Sequence, residues 1–237
     1  MAIESLYPEV FAAGGLDNAL DISFESLGLN RRVLKDKNRE IFPGVYARVE
    51  NHSRFSQVYM AANEKLYLCD FWKEGVRYGS GTTDCIQELA KSMDVWLGDH
   101  CSIFQLSDKF SFVQPSDKAA IFENRREVEF KWYSLLNDDE FSLIHPVIAL
   151  AVEDRILSSL FPYTSLMTLC FSRCTGYPYT RDTPTVSPVL GSDEYLVRNY
   201  EGAIIGKGNA SKVIEIVLSN MPSNISPAVK GTALDLQ

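Results

Sequence analysis

Hydrophobic and polar residues alternate along two stretches of this chain, and that alternation predicts β-strands. Val45, Ala47 and Val49 show the pattern clearly, because a period of two places them on one face of a half-buried strand. Glycine at the end of Lys73-Glu74-Gly75 favours a tight turn between two of the strands. The predicted strands span residues 45–50, 55–61, 65–72, 76–78, 166–173, 185–189, 194–200 and 202–205.

A period near 3.6 predicts helices between and around these strands. The clearest helix spans residues 83–97, a middle segment at 116–160 is helical, and a last helix spans 211–221. One or two helices are expected within residues 4–40, and the tail after Pro222 is expected to be loose. The fold class is therefore predicted as α+β, with antiparallel sheets and packed helices in one compact unit of residues 1–237. Halves at 1–114 and 115–237 are an alternative division.

The motif E-G-x-x-x-G-x-G occurs twice, at residues 74–81 and 201–208. Both copies lie between a predicted strand and a predicted amphipathic helix, so a duplicated hairpin and helix is one interpretation. The other is that turns and helix starts each favour glycine for conformational reasons.

Composition and charge narrow the class of protein. Hydrophobic residues make up 46% and charged residues 23%, which is typical of folded globular proteins. The net charge of −8 repels phosphate backbones and favours encounter with a basic protein partner, so no nucleic-acid binding is expected. The N-terminus lacks the pattern of a secretory signal and the longest apolar run, at 146–152, is short. We therefore expect a cytoplasmic protein without membrane contact.

Residues for catalysis, metals and cofactors are sparse. The three histidines, His52, His100 and His145, follow no metal-binding spacing, and the five cysteines form no C-x-x-C pair, which favours reduced thiols. Each G-x-G that precedes a helix lacks the third glycine of a dinucleotide site, since Asp84 and Ser211 stand there. No catalytic residue, metal or cofactor is predicted.

The most unusual stretch runs from residue 161 to residue 182 and contains FPYTS and FSRCTGYPYT. Two arginines there could bind an anion, and three tyrosines, including Tyr163, could act as amphipathic anchors. The alternative is a strand and a turn whose tyrosines cover the end of a sheet and whose arginines pair with nearby acids. The candidate binding residues are Arg173, Cys174, Tyr177, Tyr179, Arg181 and Asp182.

This block, together with the upstream D-F-W-x-E-G-V and a helix that ends in Trp96-Leu97, resembles a family of bacterial proteins known only as a domain of unknown function. The resemblance extends over residues 60–220 and is most specific at 171–180. It implies an immunity or accessory protein and assigns no catalytic residues.

Charge, aromatic content and resemblance together predict a protein-binding module. The expected role is an immunity protein that neutralises a bacterial toxin or effector with a basic surface by binding it directly. The alternative is a small-ligand-binding protein or enzyme with a pocket near Arg173, Cys174 and Arg181.

Overall fold

A computed structural model describes residues 3–35, 44–98 and 101–236, and the fold is α+β. The chain divides into two compact units, Met1–Ala119 and Ala120–Gln237. Within the described residues, each unit contains one antiparallel sheet of five strands. The predicted fold class is confirmed, whereas the packing of the whole chain as one body stays a prediction.

The strands of the first unit lie side by side in chain order, and each pairs antiparallel with the next. Glu74 and Gly75 both adopt positive φ, 51° and 76°, as a two-residue hairpin turn requires. The fourth strand continues to Thr83, which pairs with Tyr67, so the predicted helix start at residue 83 is wrong by three residues. The strands are β1 (Tyr46–Asn51), β2 (Arg54–Met60), β3 (Tyr67–Lys73), β4 (Val76–Thr83) and β5 (Val113–Pro115).

The helices of the first unit supply much of its core. The predicted apolar stripe is confirmed on α4 (Ile86–Leu97), whose buried face includes Leu89 and Met93. Trp96 packs edge-on against Phe71, with ring centroids 6.0 Å apart, and its indole N–H donates to the carbonyls of Phe55 and Trp72. The described helices are α1 (Ile3–Leu6), α2 (Pro8–Ala12), α3 (Leu16–Ser26), α4 (Ile86–Leu97) and α5 (Ile103–Lys109).

The second unit begins with helices and continues into its sheet, whose strands again lie in chain order. Short 3₁₀ turns occupy Asp139–Ile144, Leu157–Ser159 and Ala233–Leu236. The longer elements are α6 (Ala119–Glu123), α7 (Glu127–Leu136), α8 (His145–Glu153), β6 (Phe161–Ser165), β7 (Thr168–Ser172), β8 (Thr185–Pro188), β9 (Tyr195–Arg198), β10 (Ile204–Gly208) and α9 (Ala210–Ser219).

One face of this second sheet is buried against helices. Leu169 and Phe171 of β7 belong to the same buried cluster as Trp132 of α7, Ile148 of α8 and Val213 of α9. Alternate residues on a strand point to opposite faces, so the residues between these strand positions face away from the helices. The second sheet therefore has a core face and an outer face.

No helix among the described residues is long and apolar enough to cross a membrane.

The repeated motif occupies comparable places in the two units. Glu74 and Gly75 form the turn between β3 and β4, and Gly202, with φ 88°, lies in the turn between β9 and β10. A helix follows each hairpin, α4 in the first unit and α9 in the second. A common origin of the two halves stays a prediction.

Candidate functional site

A row of side chains crosses the outer face of the second sheet. Tyr163 on β6 pairs with Cys170 on β7, and Thr185 on β8 pairs with Arg198 on β9. The pairing of Leu169 with Val186 sets the register of β7 and β8, and moving one residue along it places Cys170 beside Thr185. Adjacent strands lie about 4.8 Å apart, so the row crosses four strands in about 14 Å.

This row forms the base of a groove of about 540 Å³. Two loops form its sides, one between β7 and β8 and the other between β9 and β10. Four tyrosines and two arginines, Arg181 and Arg198, line it together with hydroxyl and amide side chains. Within the described part of the chain, no Asp or Glu lines the groove, which leaves it locally positive in a chain of net charge −8.

The tyrosines of the groove contact one another. Tyr179 stacks on Tyr163 with ring centroids 4.6 Å apart, and Tyr177 meets Tyr179 edge-on at 5.9 Å. Tyr177 is 64% exposed, so its ring is presented to solvent. Burial raises the pKa of Tyr163 and of Tyr179 above the ordinary value, so both phenols stay neutral and can donate hydrogen bonds.

A buried hydroxyl holds together the loop that carries Tyr177 and Tyr179. Ser172 Oγ donates to the carbonyl of Cys174 at 2.7 Å and accepts the backbone N–H groups of Cys174 at 3.0 Å and of Thr180 at 3.2 Å. Thr180 Oγ1 in turn accepts the backbone N–H of Arg173 at 3.0 Å. The Tyr177-Pro178 peptide bond within this loop is cis. The loop is therefore tied at both ends to the end of β7.

The C-terminal tail lies along the same loop, so the prediction that it is loose is wrong. Val229 donates to the carbonyl of Arg173 at 3.0 Å and accepts from Thr175 at 3.1 Å. Gly176 donates to Gly231 at 2.8 Å, and Ala233 donates to Pro178 at 2.8 Å. Sequence patterns gave no signal for this contact because it uses backbone groups, which every residue type carries.

Residues 126–232 match the model of a family of unknown function (DUF6193). The match covers slightly less than half of the chain and includes β6–β10 and every residue that lines the groove. The match agrees with the expectation of an uncharacterised domain over residues 126–232, whereas residues 60–125 of the expected range lie outside it. No curated protein and no solved structure matches the chain.

Within the DUF6193 match, three predicted binding residues come together in the groove: Tyr177, Tyr179 and Arg181. Arg173 is paired with Asp182, whose Oδ2 accepts from Arg173 Nε at 2.7 Å, and neither residue lines the groove.

Cys174 also lies away from the groove. Its side chain is fully buried inside the loop, with Sγ directed at the carbonyls of Gly176 and Pro178. All five cysteines are free in the structure. Cys170 lines the groove instead, and burial raises the pKa of its thiol to about 11, so it stays protonated at neutral pH.

Sequence reasoning missed most of the lining residues, among them Thr185, Arg198 and Tyr200. All three fall within or beside strands that were predicted, and Arg198 follows the core residue Val197, so alternation already assigned it to the outer face. The sequence patterns did not predict the register that aligns β9 with β8 and β7.

The histidines lie at separate places in the chain. His52 lies in the turn between β1 and β2, and His145 Nε2 lies 3.1 Å from the carbonyl of Asp138. His100 falls outside the described residues. Among the residues that the structure describes, no three His, Cys, Asp or Glu side chains are grouped as a metal site requires.

Proposed function

We propose that this chain is a binding protein and that the groove on the outer face of the second sheet is its binding surface. The observation that carries the proposal is the tyrosine cluster of Tyr163, Tyr177 and Tyr179. Tyr163 lies on β6, and the other two lie on a loop that a buried serine and the C-terminal tail both anchor. Exposed aromatic side chains on a rigid support lose little entropy on binding and often dominate the energy of an interface.

The partner that we propose is another protein, a bacterial toxin or effector that this chain neutralises as a cytoplasmic immunity protein. The net charge of −8 supports it, because an acidic molecule associates faster with a partner that has a basic surface. Tyrosine supports it as well, since its ring and hydroxyl serve apolar and polar contacts in one interface.

A small-ligand-binding protein is a second candidate, favoured by the size of the groove. Its volume of about 540 Å³ lies within the range of about 300–1,000 Å³ that small-molecule sites occupy. In this alternative Arg181 contacts the ligand, whereas the buried Cys174 and the paired Arg173 shape the loop.

Calorimetric titration with candidate toxins tests the proposed function. We expect a complex with sub-micromolar Kd, and Tyr177→Ala should weaken it at least tenfold, which is about 1.4 kcal/mol, because it removes an exposed anchor of the groove. Tyr133→Ala is the matched control, since Tyr133 belongs to the same unit, is also 64% exposed and does not line the groove. Equal losses from the two variants, or the absence of any complex, would count against the proposal.

A further inference from the structure

The groove contains two guanidinium groups and no carboxylate among its described lining residues. Arg198 Nη1 donates to the carbonyl of Gly202 at 2.9 Å, and no ion pair joins this side chain to a carboxylate of the residues that the structure describes. Arg181 is exposed. By contrast, Arg173 and Arg126, elsewhere in the same unit, both form ion pairs with carboxylates. The two arginines of the groove are therefore available to bind an anion.

The two arginines act at different ends of the groove. Arg198 lies on β9, and its backbone pairs with Thr185 of β8. Arg181 lies in the loop between β7 and β8, two residues after Tyr179, whose ring stacks on Tyr163 of β6. In agreement with this position, its charge opposes the rise in pKa that burial causes in the Tyr163 phenol and the Cys170 thiol. The positive charge is thus spread along the row of side chains and not concentrated at a single point.

The distribution of positive charge along the groove favours a long anion with several charges over a small anion with one. A single phosphate or carboxylate is small compared with a groove of about 540 Å³ and with the width of about 14 Å from β6 to β9. In an extended peptide, side chains on the same face recur about every 6.6–7 Å, so acidic residues four positions apart span about 13 Å. An extended acidic segment therefore matches both the length and the charge of the groove.

We propose that the groove binds an extended acidic segment of a partner protein, with carboxylates received by Arg181 and Arg198 and with the peptide laid against Tyr163, Tyr177 and Tyr179. This inference rests on the proposed function and adds the chemistry of the partner at this site. A basic surface elsewhere on the partner is compatible with it, because the net charge of the chain and the charge of the groove have opposite signs.

Fluorescence anisotropy with three labelled ten-residue peptides tests the inference. The peptides alternate alanine with glutamate, with glutamine or with lysine, so they share length and backbone and differ in charge. We expect the glutamate peptide to bind at least tenfold more tightly than the other two. The double variant Arg181→Gln with Arg198→Gln should abolish this preference, because it removes both guanidinium groups. Equal binding of the glutamate and glutamine peptides, or an unchanged preference in the double variant, would overturn the inference.

Control variants separate a loss of contact from a loss of fold. Arg155→Gln removes an exposed arginine of the same unit that does not line the groove, and it should leave peptide binding unchanged. Arg198→Lys keeps the charge and should retain part of the preference, while thermal unfolding checks that each variant is folded. Displacement of the glutamate peptide by ADP or inorganic phosphate at lower concentration than by unlabelled peptide would favour a small-ligand site and contradict the inference.

Failure of this inference is distinguishable from failure of the proposed function. If a toxin binds and Tyr177→Ala weakens the complex, but the arginine variants do not, the groove is the binding surface and its ligand is not acidic. If the arginine variants abolish glutamate-peptide binding but no toxin binds, the acidic ligand is supported and the immunity role is not.

Discussion

Ser172 supports the groove through its hydrogen bonds to the loop between β7 and β8. Its hydroxyl is fully buried, and it accepts two backbone N–H groups while it donates to a carbonyl. Replacing it with alanine leaves the amides of Cys174 and Thr180 without their acceptor inside the protein. An unsatisfied buried polar group costs about 1–3 kcal/mol, so the replacement should destabilise the loop.

We expect Ser172→Ala to lower the free energy of unfolding by about 2–4 kcal/mol, as measured by urea denaturation. Ser219→Ala is the control, because the hydroxyl of Ser219 is exposed and donates only to the carbonyl of Glu215, within α9. That change should cost less than about 0.5 kcal/mol. Similar losses for the two variants would show that the hydroxyl of Ser172 does not organise the loop.

Cys170 makes the stability of the second unit sensitive to alkaline pH. Burial raises the pKa of its thiol from the ordinary value of 9.0 to about 11. Between these two values the unfolded chain releases the thiol proton and the folded chain keeps it, so stability is fully present below pH 9 and falls as the pH rises towards 11. The size of the fall is about 2 kcal/mol.

Denaturation of the wild type and of Cys170→Ala across pH 8–11 measures this contribution. The variant should start less stable, because a buried side chain is shortened, and should lose about 2 kcal/mol less over this range. Parallel curves would contradict the assignment.

At the scale of single residues, the sequence indicated which residue types could bind a partner, but it did not indicate which of them are exposed. Tyr177 and Arg181 were singled out by chemistry alone, and both line the groove. Cys174 and Arg173 come from the same ten residues, but one is buried in the loop and the other is paired with Asp182. Exposure within a loop depends on how the loop folds back, and alternation does not extend into irregular backbone.

At the scale of elements, the tail and the loop between β7 and β8 form one supported structure. Val229 contributes through its backbone, since it donates to Arg173 and accepts from Thr175, whereas its side chain is about half exposed. Proline at this position removes the N–H donor and keeps the carbonyl. The tail therefore provides a way to perturb the groove without touching any lining residue.

We expect Val229→Pro to speed amide hydrogen exchange at Thr175 and Gly176 and to lower the free energy of unfolding by about 1–3 kcal/mol. Val229→Ala keeps every backbone hydrogen bond and should change stability by less than about 1 kcal/mol. If the amides of Thr175 and Gly176 exchange equally fast in the two variants, the tail does not support the loop.

The strands and the long helices were predictable because their hydrophobic periods are regular. The apolar stripe of α4 and the alternation through Leu169 and Phe171 both follow from burial on one face. The boundary between β4 and α4 was not predictable from these periods, since the pairing of Thr83 with Tyr67 extends the strand. Pairing across a sheet is a long-range property that local pattern does not contain.

At the scale of the whole molecule, the chain contains two compact units, and the second has a hydrophobic core of its own. The alternative division that the sequence suggested, at residues 114 and 115, lies close to the observed boundary after Ala119. Because the buried cluster from Trp132 to Val217 belongs entirely to the second unit, we expect that unit to fold when it is produced separately.

A fragment of residues 116–237 should therefore unfold cooperatively on heating, as followed by circular dichroism. A shorter fragment of residues 116–225 lacks the tail that hydrogen-bonds to the loop between β7 and β8, and it should melt at a lower temperature. A broad, non-cooperative transition in the longer fragment would show that its core needs the first unit.

The two faces of the second sheet separate the positions that stabilise its core from the positions that line the groove. Neighbouring positions of the same strand point to opposite faces. Val186 and Val197 pack in the core, whereas Thr185 and Arg198 line the groove. Randomising only the outward positions should yield a library of variants that keep one architecture and differ in what they bind. Evolution can use the same freedom, so related chains with this sheet need not share a target.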